Sequence, residues 1–173
     1  ALMRNTRKEN LSEHSLETAF IAHAIAVIDN KRFGGSTDPE KAALLAMFHD
    51  TPEIITGDLP TPVKYYNNDI INAYNEIEQH AVDSLLKLLP EDLRSEYEPL
   101  FDCKDEKLKL IVRAADKISA LIKCKDEIML GNSEFSVAER STLETVKKLG
   151  LPAADEFLDI FLESFSLPLD EQK

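Results

Sequence analysis

An all-α fold in one domain is what this sequence predicts, and three observations lead there. Only five of its 173 residues are glycine. Long segments repeat apolar side chains at the spacing of a helix face. The length fits about one domain, and no repeat, low-complexity tract or long linker marks a second within residues 1–173.

The elements follow in order. Ser12 reads as the cap of a first helix that carries Leu16, Ala19, Phe20, His23, Ile25, Ala26 and Val27 and ends near Asn30, before Gly34-Gly35. Asp38-Pro39 opens the second: Asp38 caps, and Pro39 takes the first helical position, where its missing N–H costs nothing. This helix reaches about Asp50, and its apolar run from Ala42 to Phe48 reads as buried. The stretch Gly57-Asp58-Leu59-Pro60-Thr61-Pro62 packs a glycine and two prolines together, so an ordered loop or turn is expected. Helices are then expected from about Asp69 to Leu89, Glu91 to Glu98 and Asp105 to Leu130, the last with Leu108, Ile111, Val112, Ala115, Ile118 and Ile122 on one face. Two more, near Glu134 to Leu149 and Pro152 to Glu163, are split by Gly150.

Composition narrows the function. Lys and Arg number 20 against 32 Asp and Glu, a net charge of −12. Nucleic-acid binding, which gains affinity by neutralising phosphates, is thereby disfavoured. A small phosphate-bearing substrate held through a metal is not. The charge-free stretch from Thr18 to Ile28 falls far short of the roughly 20 apolar residues of a membrane span. Cys103 and Cys124 show no close pairing and read as free thiols of a reducing cytoplasm. No secretory signal opens the chain, and a first residue other than Met reads as a trimmed start.

Among the histidines, His49 stands out because Asp50 follows it at the end of a very apolar helix. An aspartate beside Ala46, Met47 and Phe48 is expensive to bury unless a cation or donor satisfies it. The alternative is that Asp50 caps the turn at Thr51-Pro52. His14 and His23 lie on opposite faces of one helix, so a straight helix cannot bring both to one site. His23 and His80 are read as ordinary helix histidines packed against neighbouring chain.

Glu13-His14, then His49-Asp50, then Asp116 resembles the H…HD…D pattern of the HD-domain metal-dependent phosphohydrolases. More narrowly, Arg4-Asn5, the run Glu9-Asn10-Leu11-Ser12-Glu13-His14-Ser15, and His49-Asp50 with Glu53 resemble the bacterial 5′-deoxynucleotidases of that superfamily. So do Thr56 through Tyr65 and the closing Ser164 to Glu171. The resemblance implies a single HD-domain helical bundle holding one divalent ion through His14, His49, Asp50 and Asp116. Co²⁺ or Mn²⁺ leads the expectation for that ion, with Zn²⁺ or Fe²⁺ as alternatives for such nitrogen and carboxylate ligands. It implies Glu53 as general acid/base beside the metal water. It also implies substrate contacts from Asp58, Leu59, Pro60 and Thr61 as well as His14, Asp50 and Asp116. Asp58 is expected near the sugar 3′-hydroxyl, with the Gly57 turn letting backbone N–H groups approach the ligand. The implied partners are a deoxyribonucleoside 5′-monophosphate as substrate and a second copy of the chain in a homodimer, acting in the cytoplasm.

One departure stands out. The family carries an Arg-Trp pair just upstream of the segment matching residues 1–5, whereas this sequence contains no Trp. A missing leading segment is expected, with substitution by Arg4, Arg7 or Lys8 as the alternative. The expected activity is hydrolysis of deoxyribonucleoside 5′-monophosphates to the deoxyribonucleoside and phosphate. The alternatives are another HD phosphohydrolase, acting on a phosphodiester or nucleoside triphosphate, and a non-catalytic metal-containing binding module.

Overall fold

A computed structural model describes residues 4–171, the side chains of Thr61 and Leu169 excepted. The start of the segment matching residues 1–5 therefore lies outside the described residues. Every regular element among them is helical, as the sequence predicts.

Helix α1 spans Leu11–Arg32, and its cap is Asn10 rather than the expected Ser12. The reason is a reciprocal pair: Asn10 Oδ1 accepts from the Glu13 N–H at 3.0 Å, and Glu13 Oε2 accepts from the Asn10 N–H at 3.1 Å. His14 thus enters the first turn with its own N–H already bonded to Asn10 O, at 3.1 Å. At the far end Asp29 is buried and pairs with Lys107 Nζ at 2.8 Å, while its backbone carbonyl accepts from the Gly35 N–H at 3.1 Å.

Helix α2, Pro39–Phe48, begins as expected, with Asp38 accepting from the Glu40 and Lys41 N–H groups. Its apolar run is not uniformly buried: Ala42, Leu45 and Ala46 face the core, but Leu44 is 42% and Met47 44% exposed. An apolar helix three residues wide on its buried side still has an outer face, which composition alone does not reveal. Two short helices follow, α3 (Glu53–Thr56) and α4 (Thr61–Lys64). The loop expected over residues 57–62 holds through residue 60 and ends there, because α4 begins at Thr61 with Pro62 in its first turn, where a missing N–H is harmless.

Helix α5, Asn68–Lys87, is capped by Asn67, and α6, Glu91–Phe101, runs past Pro99 rather than stopping at Glu98. Helix α7, Glu106–Met129, is the central element, capped by Asp105 and burying Ile111, Ala114, Ala115, Ile118, Leu121 and Ile122. Helices α8 (Ser136–Lys148) and α9 (Pro152–Phe161) close the core. Helix α1 packs on α2, α7 and α9, and α7 also meets α2 and α8. Among the described residues no helix is long and apolar enough to cross a membrane.

One buried carboxylate fixes the entry to α1. Glu127, near the end of α7, is 1% exposed and accepts from the N–H groups of Thr6 at 2.7 Å and Arg7 at 3.0 Å, and from Asn132 Nδ2 at 2.9 Å. Burial alone would raise its pKa, but these donors hold it down at about 2. The contacts lock the segment before α1 onto α7, and with it the position of His14 relative to α7.

Candidate functional site

Three elements deliver one cluster. His14 comes from the first turn of α1, His49 closes α2 with helical backbone angles, Asp50 follows it, and Asp116 sits midway along α7. One donor atom from each of these four residues lies within 4.8 Å of all the others. His14 Nε2 is 3.3 Å from both Asp50 Oδ2 and Asp116 Oδ1. His49 Nε2 is 3.1 Å from Asp50 Oδ2 and 3.9 Å from Asp116 Oδ1. The Asp50 carboxylate is therefore turned to the imidazoles, and the next turn is closed by its backbone carbonyl, which accepts from the Glu53 N–H at 2.9 Å. His23 and His80 lie elsewhere and are exposed rather than packed, a correction to their expected setting.

The donor set suits a divalent transition metal. His49 Nδ1 lies 2.7 Å from Ala46 O, and a carbonyl only accepts, so that nitrogen carries hydrogen. A neutral His49 then directs its Nε2 lone pair into the cluster. That Nε2 is buried and has no hydrogen-bond partner, its 3.1 Å approach to Asp50 being poorly aligned for one. Two imidazole nitrogens and two carboxylates are ligands that Mn²⁺, Fe²⁺, Co²⁺ and Zn²⁺ all accept.

In the protein alone the two aspartates favour protonated imidazoles. Burial disfavours charged imidazole, yet Asp116 and Asp50 outweigh it and raise His14 to about 10 and His49 to about 9. Burial likewise opposes charge on Asp50, but His14 and His49 bring it down to about 2. Asp116 is held well below the usual carboxylate range by the same histidines and by Lys117, whose Nζ is 2.9 Å from its Oδ2.

Glu53 opens α3 one near-helical turn beyond Asp50. Its pKa is pushed up to about 7, by burial first and then by the charges of Asp50 and Asp58. Asp58 is exposed, Leu59 is half-buried and Pro60 is exposed, on the segment linking α3 to α4. The Thr61 side chain falls outside the described residues. The Gly57 N–H does not await a ligand: at φ 69° it closes α3 by donating to Glu53 O at 2.9 Å. Of the upstream cations, Arg4 pairs its guanidinium with Glu134 at 2.7 Å.

Sequence reasoning gave Lys64 no role of its own and passed over Lys117, Ser119 and Glu17. Lys64 pairs with Glu78 at 3.0 Å, sits 4.3 Å from the Tyr74 ring centre, and its charge opposes the rise at Glu53. Ser119 and Glu17 stand behind His14, and each lies one helical turn after a cluster residue, a spacing that could have marked them.

The fold is shared with an HD-domain phosphohydrolase from Listeria innocua, at a TM-score of 0.79 and 22% identity over 98% of this chain and 81% of that one. A conserved hypothetical protein from Pyrococcus furiosus matches at a TM-score of 0.65 and 26% identity, over 93% and 85% of the two chains. This is an HD-domain fold, and in it two histidines and two aspartates form a site compatible with a divalent metal. Proteins named 5′-deoxynucleotidase from Photobacterium profundum and Erwinia tasmaniensis are each 48% identical over 172 residues, covering 98% of this chain and 89% and 87% of theirs. Residues 1–165 match the family described as 5′-deoxynucleotidase YfbR-like, and the chain belongs to that family.

Proposed function

We propose that this protein is a 5′-deoxynucleotidase that hydrolyses deoxyribonucleoside 5′-monophosphates, with one divalent ion held by His14, His49, Asp50 and Asp116. The observation that carries this reading is a convergent two-histidine, two-aspartate donor set with the Glu53 carboxyl one near-helical turn beyond Asp50. It is joined by the 48% identity to proteins of that name. When bound, a divalent ion there supplies Lewis acidity toward the phosphoryl group and acidifies water.

The chain's own residues supply the rest. Glu53 takes a proton from the attacking water and returns one to the departing 5′-oxygen as the P–O5′ bond breaks. Burial and the neighbouring charges of Asp50 and Asp58 favour its protonated form, which readies it to return that proton. Asp58, whose charge is felt at Glu53, accepts from the sugar 3′-hydroxyl in this reading, and Leu59 and Pro60 contribute to the sugar side. Co²⁺ or Mn²⁺ is the preferred ion. The enzyme acts as a cytoplasmic homodimer on free nucleotides, and its net charge of −12 is in keeping with indifference to nucleic acid.

Phosphate release from 2′-deoxy-AMP and from AMP, with Co²⁺, Mn²⁺ or Zn²⁺ added and His49→Ala as control, tests the reading. Metal-dependent turnover that favours the deoxy substrate and disappears in the control is expected; no turnover with any of the ions overturns it. Glu53→Gln is expected to lower kcat by roughly 10²–10⁴-fold while metal uptake persists, as steady-state kinetics with parallel metal analysis will show.

A further inference from the structure

Behind His14, on the side away from the cluster, two residues outside the donor set form a chain of contacts. Ser119 is buried one turn after Asp116 on α7, with its Oγ 3.2 Å from His14 Nδ1 and 2.5 Å from Glu17 Oε2. Glu17, one turn after His14 on α1, is half-buried and borders a polar cavity of about 200 Å³ shared with Arg7, Glu9, Glu13, Lys123 and Asp126.

The direction of these bonds follows from what each group can do. An ionised carboxylate only accepts, so the single Ser119 hydroxyl hydrogen goes to Glu17. The hydroxyl oxygen is left facing His14 with its lone pairs, and accepts the Nδ1 hydrogen. A neutral His14 held in this way has its free lone pair on Nε2, the atom 3.3 Å from both aspartates.

We propose that Ser119 and Glu17 are positioning residues for metal binding, fixing His14 as the Nδ1–H tautomer with Nε2 aimed at the ion. The inference rests on the metal centre of the reading above, and it assigns these side chains a task beyond packing. His49 supports it independently: a different acceptor, Ala46 O, does the same for the other ring. The two histidines reach one protonation pattern by unrelated means, a helix carbonyl in one case and a serine oriented by a carboxylate in the other. A buried helix serine ordinarily turns its hydroxyl to the carbonyl one turn back. Ser119 instead gives it to a side chain on another helix.

The test uses Zn²⁺ as probe and does not depend on turnover. Affinity is read by competition with a chromophoric chelator, and the ring N–H protons of the Zn²⁺-loaded protein by proton NMR. Ser119→Ala is expected to weaken Zn²⁺ binding roughly 10- to 100-fold, the usual effect of removing a partner of a ligating histidine. It should also expose the His14 Nδ1 proton to rapid solvent exchange while the His49 proton stays protected. The metal-free variant should keep the far-ultraviolet circular dichroism of the wild type, so that weakened binding is not a failure to fold. Glu17→Ala, at a half-buried position with less risk to folding, should weaken Zn²⁺ binding in the same direction and more mildly. Unchanged affinity in both variants, or a His14 proton still protected in Ser119→Ala, overturns the proposal. Wild-type protein that takes up no Zn²⁺ overturns the metal centre and this role together. Absence of nucleotidase turnover with normal Zn²⁺ uptake strikes only at the substrate assignment.

Discussion

His14 and His49 each gain, in the metal-free protein, a proton that a cation must displace. Their folded pKa values, about 10 and about 9, lie above the ordinary 6.5, so their contribution to stability is complete below pH 6.5 and is lost as pH rises through 9 to 10. Asp50, lowered from 3.8 to about 2, contributes above pH 3.8 and loses that contribution as pH falls through 2. Both contributions are therefore complete between pH 3.8 and 6.5. Chelated protein is expected to melt at progressively lower temperature as pH rises from 6.5 to 10, a trend absent from metal-loaded protein. Metal uptake at neutral pH should release protons, visible as a dependence of calorimetric heat on the ionisation enthalpy of the buffer. The sequence made His49-Asp50 conspicuous because an aspartate ended an apolar run. Asp116 lies at the flank of its helix's apolar arc, near Val112, and entered only through the resemblance to the H…HD…D pattern. That flank is where α1 and the end of α2 approach α7, a fact of tertiary packing that one helix's pattern does not contain.

At the scale of elements, start signals were legible where a single residue type decides them and less so where two compete. Asp38-Pro39 opens α2 as expected and Asp105, expected at the start of its helix, is the cap of α7, but Ser12 lost to Asn10 because only Asn10 has a glutamate three positions on to return the bond. The exposed Leu44 and Met47 on α2 and the short α4 were misread for a related reason: apolar content and proline count do not say which way a helix faces. The turn after α1 carries a sharper constraint. A methyl group on Gly35 would stand 2.0 Å from Asp29 Oδ2, and that carboxylate is buried and already paired with Lys107. Gly35→Ala therefore has to break the pair or displace the turn, and is expected to destabilise the protein by about 1–3 kcal/mol, measured by urea unfolding.

The whole molecule does not lean on its cluster for cohesion. Ala22, Ile25, Ile111, Ile118, Leu151 and Phe157 are buried in one core drawn from α1, α7, α9 and the approach to α9, and none of them is a cluster residue. Chelation is thus expected to leave far-ultraviolet circular dichroism intact. Saturating metal, at about 100 times its dissociation constant, should stabilise the fold by roughly 2.7 kcal/mol, read as a rise in melting temperature. Loss of helicity on chelation would mean that the ion is a structural staple. The all-α architecture was legible because few glycines and a helical apolar period agree along most of the chain. The assembly of one site from three helices was not, since residue spacing carries no information about which helix ends meet.

That assembly has a consequence for the newly made chain. His14 and Asp116 are 116 − 14 = 102 positions apart, and the Glu127 contacts that lock the start of α1 onto α7 come later still. Closing so long a loop is costly until α1, α2 and α7 have packed. A ribosome-bound chain that has not yet emitted α7 carries both histidines and Asp50 but no place for an ion. The four-residue cluster is therefore complete only after α7 has been made and packed against α1 and α2, and an ion held by all four residues would report that three-helix assembly.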